Sequence, residues 1–581
     1  MVLALLVAAL MVAPSAVAAN GPKNKDNDTY VQLLAFNDLH GNLEPPTGSS
    51  ARVATGPGQT VDAGGAEYFA THIKQLRMTN TNTLVVAAGD AIGASPLVSA
   101  LFHDEPTIEA MNVWGTEIEG VGNHEFDEGV NELLRMQYGN QNGGDGCHPE
   151  DGCQDGDPFG GALFQYLAAN VFWKNTNETI LPAYEIRKID NAKIAFIGLT
   201  LEGTSSIVSQ EGIKDVYFAP EVETVNALVA KLREEKGVRS FVVLVHQGGQ
   251  QNAPFAAGFE NINGCENFTG PIVDIAKGLA PEVDVIVSAH THRAYNCEIA
   301  GRPVTSAASF GRLITDIDLV IDHQSKDVKG VTVTNRIVTR GVKDDDETKL
   351  LDKYRLLSND KKNAIVGRIS ADITTAGNAA GESALGDVIA DAQLFVTAQD
   401  HHGDAVVAFM NPGGIRKDLT YSASAGGEAP GEITYGELFD VQPFTNYVVT
   451  KTMTGQQIYD VLEQQWSGPN AGTNRKILQV SNGFTYQYTA KNTGAVGAID
   501  SDQHVVPGSV MIGGVPVNTL ATYRVTMNSF LADGQDNFPA FALGTEKLVG
   551  MIDLDALVNY FEMKGTVDPG PQNRITRTVV P

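Results

Sequence analysis

The stretch VQLLAFND, residues 31–38, sets the fold class, because an apolar run ends there in polar side chains. The pattern recurs in NTLVVAAGD (82–90), AKIAFIGLT (192–200), SFVVLVHQGG (240–249) and VDVIVSAHTH (283–292). Short apolar and β-branched runs indicate strands, and helical patterns fill the segments between them. Alternating strands and helices predict a layered α/β domain. Open α/β sheets bind ligands beyond the carboxyl ends of their strands, where these polar residues fall.

The chain is too long for one hydrophobic core, since it has 581 residues and single cores stop growing near roughly 250–300. Residues 344–361 are highly charged with apolar side chains at helical spacing, which predicts a linker helix. We therefore predict a first α/β domain at 29–343 and a second at 362–575. The second contains a predicted helix at 383–398 and a predicted strand at 405–410.

The composition is that of a folded acidic protein, with 43% hydrophobic and 19% charged residues and a formal net charge of −28. Such a charge argues against a nucleic-acid polymer as partner, because no basic stripe offsets the repulsion of phosphates. The acidic surface also repels small nucleotides, so a phosphate-binding site must supply its own local positive charge. Metal ions are the obvious source.

The first twenty residues form an apolar run that ends in the small residues Ala16-Val17-Ala18. This pattern predicts a secretory signal at residues 1–18. No later stretch approaches the ~20 apolar residues that span a bilayer. We expect an extracellular or cell-envelope protein without a transmembrane segment, as a monomer or weak oligomer.

Four cysteines fit an oxidising compartment: Cys147, Cys153, Cys265 and Cys297. Cys147 and Cys153 flank a short loop, and the other two remain as the natural second pair. Four cysteines permit three connectivities, and the sequence does not choose among them. A zinc site built from the thiols lacks CxxC spacing, so two disulfides are favoured.

The first domain carries a series of metal-binding side chains, each at a predicted strand end or in a glycine-bounded turn. Taken singly, such motifs are weak, because a histidine at a strand end is more often structural. Together they predict one site at one sheet edge. Imidazole and carboxylate donors suit zinc, manganese or cobalt, and two such ions serve in-line displacement. The donors and their neighbours are Asp38, His40, Asp90, Asn123, His124, Asp127, His246, His290 and His292.

The fragments FNDLHGNLEP, GDAIGASPL, GNHEFDEG, HQGG and AHTH resemble the calcineurin-like metallophosphoesterase signature. More specifically, they resemble the bacterial secreted 5'-nucleotidase and UDP-sugar hydrolase group. The resemblance implies a first metal held by Asp38, His40, Asp90 and His292. It implies a second metal held by Asp90, Asn123, His246 and His290. His292 is the least constant of these positions within the family.

The resemblance also implies that His124 is the catalytic histidine and that Asp127 orients it. His124 would stabilise charge that develops on the phosphoryl oxygens or on the leaving group. The alternative is that both residues only support the metal-binding loop.

The second domain contains segments that suit a nucleotide. By resemblance, Phe444 and Phe530 clamp the nucleobase, Asp536 binds the ribose, and Asn411 and Arg416 bind substrate. Alone, a loop phenylalanine is usually core. The chain departs from its relatives at 374–383, which has no basic residue, so Arg312 is an alternative phosphate contact.

These observations predict a secreted two-metal 5'-nucleotidase in which metal-bound hydroxide attacks the phosphorus of a nucleoside 5'-monophosphate in line. The same centre would also serve a UDP-sugar diphosphatase or a 2',3'-cyclic nucleotide phosphodiesterase. A sulfur-oxidising relative is disfavoured by the phenylalanine pair, and a non-catalytic surface module would not need the metal-binding set.

Overall fold

The computed structural model describes residues 28–149, 151–206, 208, 212–399, 402–422, 426–444, 446–472, 475–491 and 501–580. The predicted signal at 1–18 lies outside them. As predicted, the fold is mixed α/β, with a larger N-terminal and a smaller C-terminal part.

The N-terminal part is built mainly from two six-stranded sheets. Its strands are β1 (Thr29–Phe36), β2 (Arg52–Gly56), β3 (Gln59–Asp62), β4 (Thr83–Ala87), β5 (Ile118–Gly120), β6 (Gln165–Leu167), β7 (Val171–Trp173), β8 (Tyr184–Ile189), β9 (Ala192–Thr200), β10 (Val216–Phe218), β11 (Ser240–His246), β12 (Val285–Ser288), β13 (Ala294–Ile299), β14 (Arg302–Ala307), β15 (Leu313–Ile321) and β16 (Val328–Ile337). The sheets have the orders β16-β15-β1-β4-β5-β6 and β13-β14-β12-β11-β9-β8.

Helices cover the outer faces of both sheets, which explains why the strands are apolar on both sides. These helices are α1 (Ala66–Arg77), α2 (Leu97–Ala100), α3 (Glu105–Trp114), α4 (Val130–Tyr138), α5 (Glu221–Lys236) and α6 (Ile272–Gly278). In β1, Leu33 belongs to the core between the sheets and Leu34 to the core under the helices. The sheets approach closely at Gly198, where an added Cβ would lie 2.6 Å from the Leu167 carbonyl oxygen.

Helix α7 (Asp345–Lys362) joins the two parts. Asp344 caps it by accepting hydrogen bonds from the backbone N–H groups of Asp346 and Glu347. Its first turn is acidic and its last turn is basic, which complements the helix dipole. The helix lies where the sequence predicts the linker, although the domain limits themselves remain predictions.

The C-terminal part contains a five-stranded sheet of order β21-β18-β26-β20-β27, a second five-stranded sheet in which β22 pairs with β23, β24 and β29 and β24 pairs with β25, and a three-stranded sheet of order β19-β17-β28. Its helices are α8 (Ala384–Thr397), α9 (Tyr435–Val441), α10 (Gly455–Gln464), α11 (Ser529–Ala532), α12 (Pro539–Ala542) and α13 (Asp553–Lys564). Its strands are β17 (Ile365–Ile369), β18 (Val407–Met410), β19 (Glu432–Thr434), β20 (Tyr447–Thr454), β21 (Gln479–Val480), β22 (Phe484–Lys491), β23 (Ser501–Val505), β24 (Met511–Ile512), β25 (Val515–Pro516), β26 (Thr522–Asn528), β27 (Thr545–Ile552), β28 (Thr566–Val567) and β29 (Ile575–Val580).

The four cysteines form two disulfides, Cys147–Cys153 and Cys265–Cys297. The first joins two cysteines that are 6 residues apart and closes a short loop. The second joins Cys265, which lies in a loop, to Cys297 in β13. Within the described ranges, no helix is both long enough and apolar enough to cross a bilayer.

Candidate metal centre

The predicted metal-binding residues meet at the carboxyl ends of the central strands. In the first sheet β1, β4 and β5 run parallel, and the loops after them carry Asp38, Asp90 and Asn123. In the second sheet β11 and β12 run parallel; His246 ends β11, and His290 follows β12. Because these strands point the same way in two stacked sheets, their ends converge on one site.

Five of these residues have a left-handed backbone conformation, with φ between 48° and 72°. This conformation is unfavourable for residues other than glycine and concentrates at functional sites. The sharp turn after each strand directs the donor side chains back across the sheet edge. The five residues are Asp38, His40, Asp90, His290 and His292.

Asp38, His40 and His292 form the first ligand cluster, with one donor atom from each within 4.8 Å of the others. His40 Nδ1 lies 2.9 Å from the Gly93 carbonyl oxygen. If Nδ1 donates there, Nε2 carries the lone pair, and it lies 3.0 Å from Nε2 of His292. Burial and the neighbouring His292 lower the pKa of His40 to about 3, so the ring is neutral, as a metal ligand must be.

Asp90, His246 and His290 form the second cluster. His246 Nδ1 lies 2.9 Å from the Ala88 carbonyl oxygen and donates to it, which directs Nε2 toward Asp90. Burial alone would lower the pKa of His246, but the carboxylate of Asp90 outweighs it and raises the pKa to about 9, so a metal ion would take the place of a proton on Nε2. That Nε2 is buried without a hydrogen-bond partner, although it lies 2.9 Å from Asp90 Oδ2. Asn123 Oδ1 is likewise buried without a partner. A cation at this position would be a common partner for His246 Nε2, Asp90 Oδ2 and Asn123 Oδ1.

Asp90 links the two clusters. Its Oδ2 lies 2.9 Å from His246 Nε2 and 3.8 Å from His40 Nε2. Burial alone would raise the pKa of the Asp90 carboxyl, but the imidazoles of His246 and His124 hold it well below its usual range. The residues present therefore fit two divalent ions, with Asp90 as a carboxylate donor that faces ligands of both clusters.

His124 and Asp127 form a pair beside the clusters, with His124 Nδ1 2.7 Å from Asp127 Oδ2. The backbone N–H of His124 donates to Asp90 Oδ1 over 2.9 Å. Burial opposes a charge on His124, but the carboxylates of Asp127 and Asp90 outweigh it and raise its pKa to about 10. This imidazole is therefore cationic at neutral pH. Its catalytic role remains a prediction.

The sequence reasoning missed Glu125, which holds two of the metal-binding loops together. Its Oε2 accepts from the backbone N–H groups of Asp90 (3.0 Å) and Gly122 (2.6 Å), and its Oε1 accepts from that of Ala91 (2.8 Å). Glu125 lies within the GNHEFD motif, but nothing in the motif shows that it accepts hydrogen bonds from another loop.

The structure brings four of the five predicted substrate residues together in two pairs. Asn411 Nδ2 donates to Asp536 Oδ2 over 3.0 Å, and the Arg416 guanidinium lies 5.6 Å from the centroid of the Phe444 ring. Phe444 and Phe530 are 46% and 44% exposed, an unusual state for phenylalanine. Their contacts with substrate remain predictions.

Arg312 and Lys476 are two basic residues whose partners the structure shows. Arg312, the predicted alternative contact, donates from Nε to the Ser309 carbonyl oxygen and stacks at 5.4 Å on Phe310. Lys476, which the sequence reasoning missed, forms an ion pair with Asp536. Its motif context gave no signal, because Lys476 and Asp536 are distant in sequence.

Tyr447 is a further residue that sequence reasoning missed. It opens β20 in the C-terminal part, and its hydroxyl donates to the backbone carbonyl oxygen of Asp127 over 3.4 Å. The C-terminal part of the chain therefore touches the loop that carries the His124–Asp127 pair.

Two family models match the chain: calcineurin-like phosphoesterase over residues 31–294, and 5'-nucleotidase, C-terminal domain, over residues 365–543. Cell wall protein Lmo0130 of Listeria monocytogenes is 31% identical over 591 residues, which cover 96% of this chain and 70% of that protein. Endonuclease YhcR of Bacillus subtilis is 32% identical over 536 residues, which cover 91% of this chain but only 39% of that protein.

Among solved structures, a 5'-nucleotidase precursor from Thermus thermophilus shares the fold with a TM-score of 0.57 at 22% identity, covering 95% of this chain and 100% of that one. The fold and these matches define the class, a metal-dependent phosphoester hydrolase. Within that class, the chain belongs to the 5'-nucleotidase family, with a calcineurin-like phosphoesterase domain followed by a 5'-nucleotidase C-terminal domain.

Proposed function

We propose that this protein is a secreted 5'-nucleotidase that hydrolyses nucleoside 5'-monophosphates to nucleoside and inorganic phosphate. The observation that carries the proposal is the position of Asp90, which forms one three-residue group with His246 and His290 and another with His40 and His124, and which accepts the backbone N–H of His124. This arrangement suits an in-line displacement at phosphorus beside a cationic imidazole.

In the proposed site, one ion is held by Asp38, His40, Asp90 and His292, and the other by Asp90, Asn123, His246 and His290. Bound divalent ions supply Lewis acidity toward the phosphoryl oxygens and activate water. Zinc, manganese and cobalt all suit this donor set.

The remaining groups of the chain stabilise charge and position the substrate. His124, held cationic by Asp127, donates a hydrogen bond to a phosphoryl oxygen or to the leaving 5'-oxygen. Asn411 and Arg416 bind the nucleotide, since an arginine fork matches phosphate oxygens. Asp536 accepts hydrogen bonds from ribose hydroxyls, and Phe444 and Phe530 stack on the base.

Secretion is part of the proposal. Two disulfides support it, because such bonds persist in oxidising compartments outside the cytosol. The name of the Listeria relative, a cell wall protein, points the same way.

The test is phosphate release from AMP, UDP-glucose and 2',3'-cyclic AMP. Each substrate is assayed with the enzyme as purified, after EDTA, and after restoring Mn²⁺ or Zn²⁺. We expect AMP to be the best substrate, with activity lost in EDTA and regained with metal. Faster turnover of UDP-glucose or the cyclic nucleotide would replace the proposed substrate, and no release from any of them would overturn the proposal.

A further inference from the structure

A further group of metal-binding side chains lies outside the centre described above. His103, Glu128 and His148 each offer one donor atom, and these atoms lie within 4.8 Å of one another. His103 lies between α2 and α3, Glu128 directly follows Asp127, and His148 lies inside the loop closed by Cys147 and Cys153. Three segments distant in sequence thus converge on one point.

The geometry of this cluster centres on one carboxylate. His103 Nδ1 lies 2.8 Å from Glu128 Oε2, and His148 Nε2 lies 3.7 Å from the same oxygen. The two imidazole rings stack with centroids 3.4 Å apart and an interplanar angle of 22°. The imidazole side chains are 18% and 17% exposed, whereas Glu128 is 47% exposed.

A buried carboxylate holds the backbone of the loop that carries His148. Glu105, which is 1% exposed, accepts hydrogen bonds from the backbone N–H of His148 (3.1 Å) and of Cys153 (2.7 Å). Arg135 pairs with the same carboxylate at 2.6 Å. A buried ion pair and a disulfide therefore fix the backbone of a short, otherwise polar loop, which places His148 before any ligand arrives.

An ordinary histidine–carboxylate ion pair is the competing explanation. The chain contains one for comparison: His504 Nδ1 lies 3.3 Å from Glu463 Oε2, and this pair belongs to none of the three-residue groups found among the described residues. One imidazole is enough for such a pair. The cluster at Glu128 adds a second imidazole, on a loop with its own buried support, toward the same oxygen.

We propose that His103, Glu128 and His148 bind a third divalent ion, of the zinc class. Two imidazole nitrogens and one carboxylate oxygen are the donors that zinc takes in sites that keep an open position. Ligand atoms at about 2.0–2.2 Å from a tetrahedral ion lie about 3.3–3.6 Å apart, between the 2.8 and 3.7 Å contacts observed. Binding requires one ring to turn out of the stack, and the exposed side of Glu128 leaves room for water to complete the coordination.

The ion would fasten two parts of the molecule to each other. Glu128 is adjacent to Asp127, the partner of His124. The loop of His148 is tied to helix α7, because Asp151 pairs with Lys361 at 2.9 Å. Metal binding would thus connect the loop of the proposed catalytic pair to the linker helix.

The experiment compares bound metal in three full-length proteins: wild type, His148→Ala and the matched control His504→Ala. Each is loaded with Zn²⁺, freed of excess metal by desalting, and analysed by mass spectrometry for zinc per chain. We expect His148→Ala to hold one zinc fewer than wild type, and His504→Ala to hold the wild-type amount. The readout is a difference, so it does not depend on how many ions the other centre retains.

Equal zinc content in His148→Ala and wild type would overturn the proposal. The conservative variant His103→Gln provides a second readout in case the loop variant folds poorly. His103→Gln should also hold one zinc per chain fewer than wild type. The double variant, which combines His103→Gln with His148→Ala, should likewise hold no more than one zinc fewer. Retention of all zinc in a folded His103→Gln protein, or loss of two or more ions in the double variant, would also contradict a shared site.

Discussion

At the scale of single residues, Asp90 connects the most functions. One of its oxygens faces His246 and His40, and the other accepts the backbone N–H of His124. Its own backbone N–H donates to Glu125. A substitution at this position therefore changes both ligand clusters and the adjacent imidazole at once.

We predict that Asp90→Asn lowers turnover of AMP by about 10³-fold or more, because the amide keeps the size but removes the charge that joins the two ions. Steady-state phosphate release and zinc content per chain measure the effect. A circular-dichroism spectrum and thermal melt check that the variant folds. Full turnover in a folded Asp90→Asn protein would rule out the two-metal mechanism.

Phe444 is the residue on which the proposed base clamp is most directly tested. We predict that Phe444→Ala raises KM for AMP by about 5–150-fold, since stacking on one base contributes about 1–3 kcal/mol. kcat should change much less, because the ring does not touch the reacting phosphate. The control is Leu520→Ala, another exposed apolar residue of the same part of the chain. An unchanged KM for Phe444→Ala would remove this residue from the clamp.

At the scale of elements, helix α7 is held against α3 by a buried polar contact. The Tyr354 hydroxyl donates to Glu109 Oε2 over 2.9 Å, and Tyr354 is 1% exposed. Burial raises the pKa of Glu109 to about 7, and the hydrogen bond from Tyr354 opposes this only in part. Protonation of this buried carboxyl therefore contributes a pH-dependent amount to the free energy of unfolding.

We predict that Glu109→Gln stabilises the protein at pH 8 but not at pH 4. The folded state keeps the Glu109 proton up to about pH 7, whereas the unfolded state releases it near 4.5, so the wild-type free energy of unfolding falls between these values. Glutamine keeps a hydrogen-bond acceptor and does not titrate. The expected gain at pH 8 is on the order of 1–3 kcal/mol.

Urea denaturation of both proteins at pH 4, 6 and 8 measures this difference. Glu223→Gln, on the exposed face of α5, is the control and should show no such trend. A stability gain that is equal at all three pH values would contradict the assignment to Glu109.

At the scale of the whole molecule, the two parts of the chain are joined by α7 and also meet near the proposed reaction centre. The contact between Tyr447 and the Asp127 carbonyl oxygen places β20 of the C-terminal part beside the N-terminal part. The proposed metal ligands and the proposed base clamp lie on different parts of the chain, so the proposed reaction requires the two parts to adopt one defined arrangement around the substrate.

We predict that Tyr447→Phe lowers kcat/KM for AMP by about 2–10-fold, the loss expected for one neutral hydrogen bond. The thermal midpoint should change little, because the contact is long and lies between domains. The matched control is Tyr421→Phe, an exposed tyrosine of the same part. If Tyr447→Phe behaves like Tyr421→Phe, the contact does not contribute to the active arrangement.

The sequence by itself predicted the class of fold and the strand ends at which the candidate metal ligands lie together. β9 spans Ala192–Thr200, the stretch in which the apolar pattern predicts a strand, and α8 spans Ala384–Thr397, within the predicted helix at 383–398. These features were readable because apolar periodicity and glycine-bounded turns are local properties of a chain. The disulfide partners were not, since four cysteines leave three pairings open.

Only the tertiary structure decided which distant groups meet. Glu125 bonds to the loop of Asp90, Lys476 pairs with Asp536, and Tyr447 reaches Asp127. The cluster of His103, Glu128 and His148 was equally invisible in sequence. The physical reason is the same in each case: a hydrogen bond or ligand set depends on a few ångströms between side chains, and the packing of sheets and loops fixes those distances.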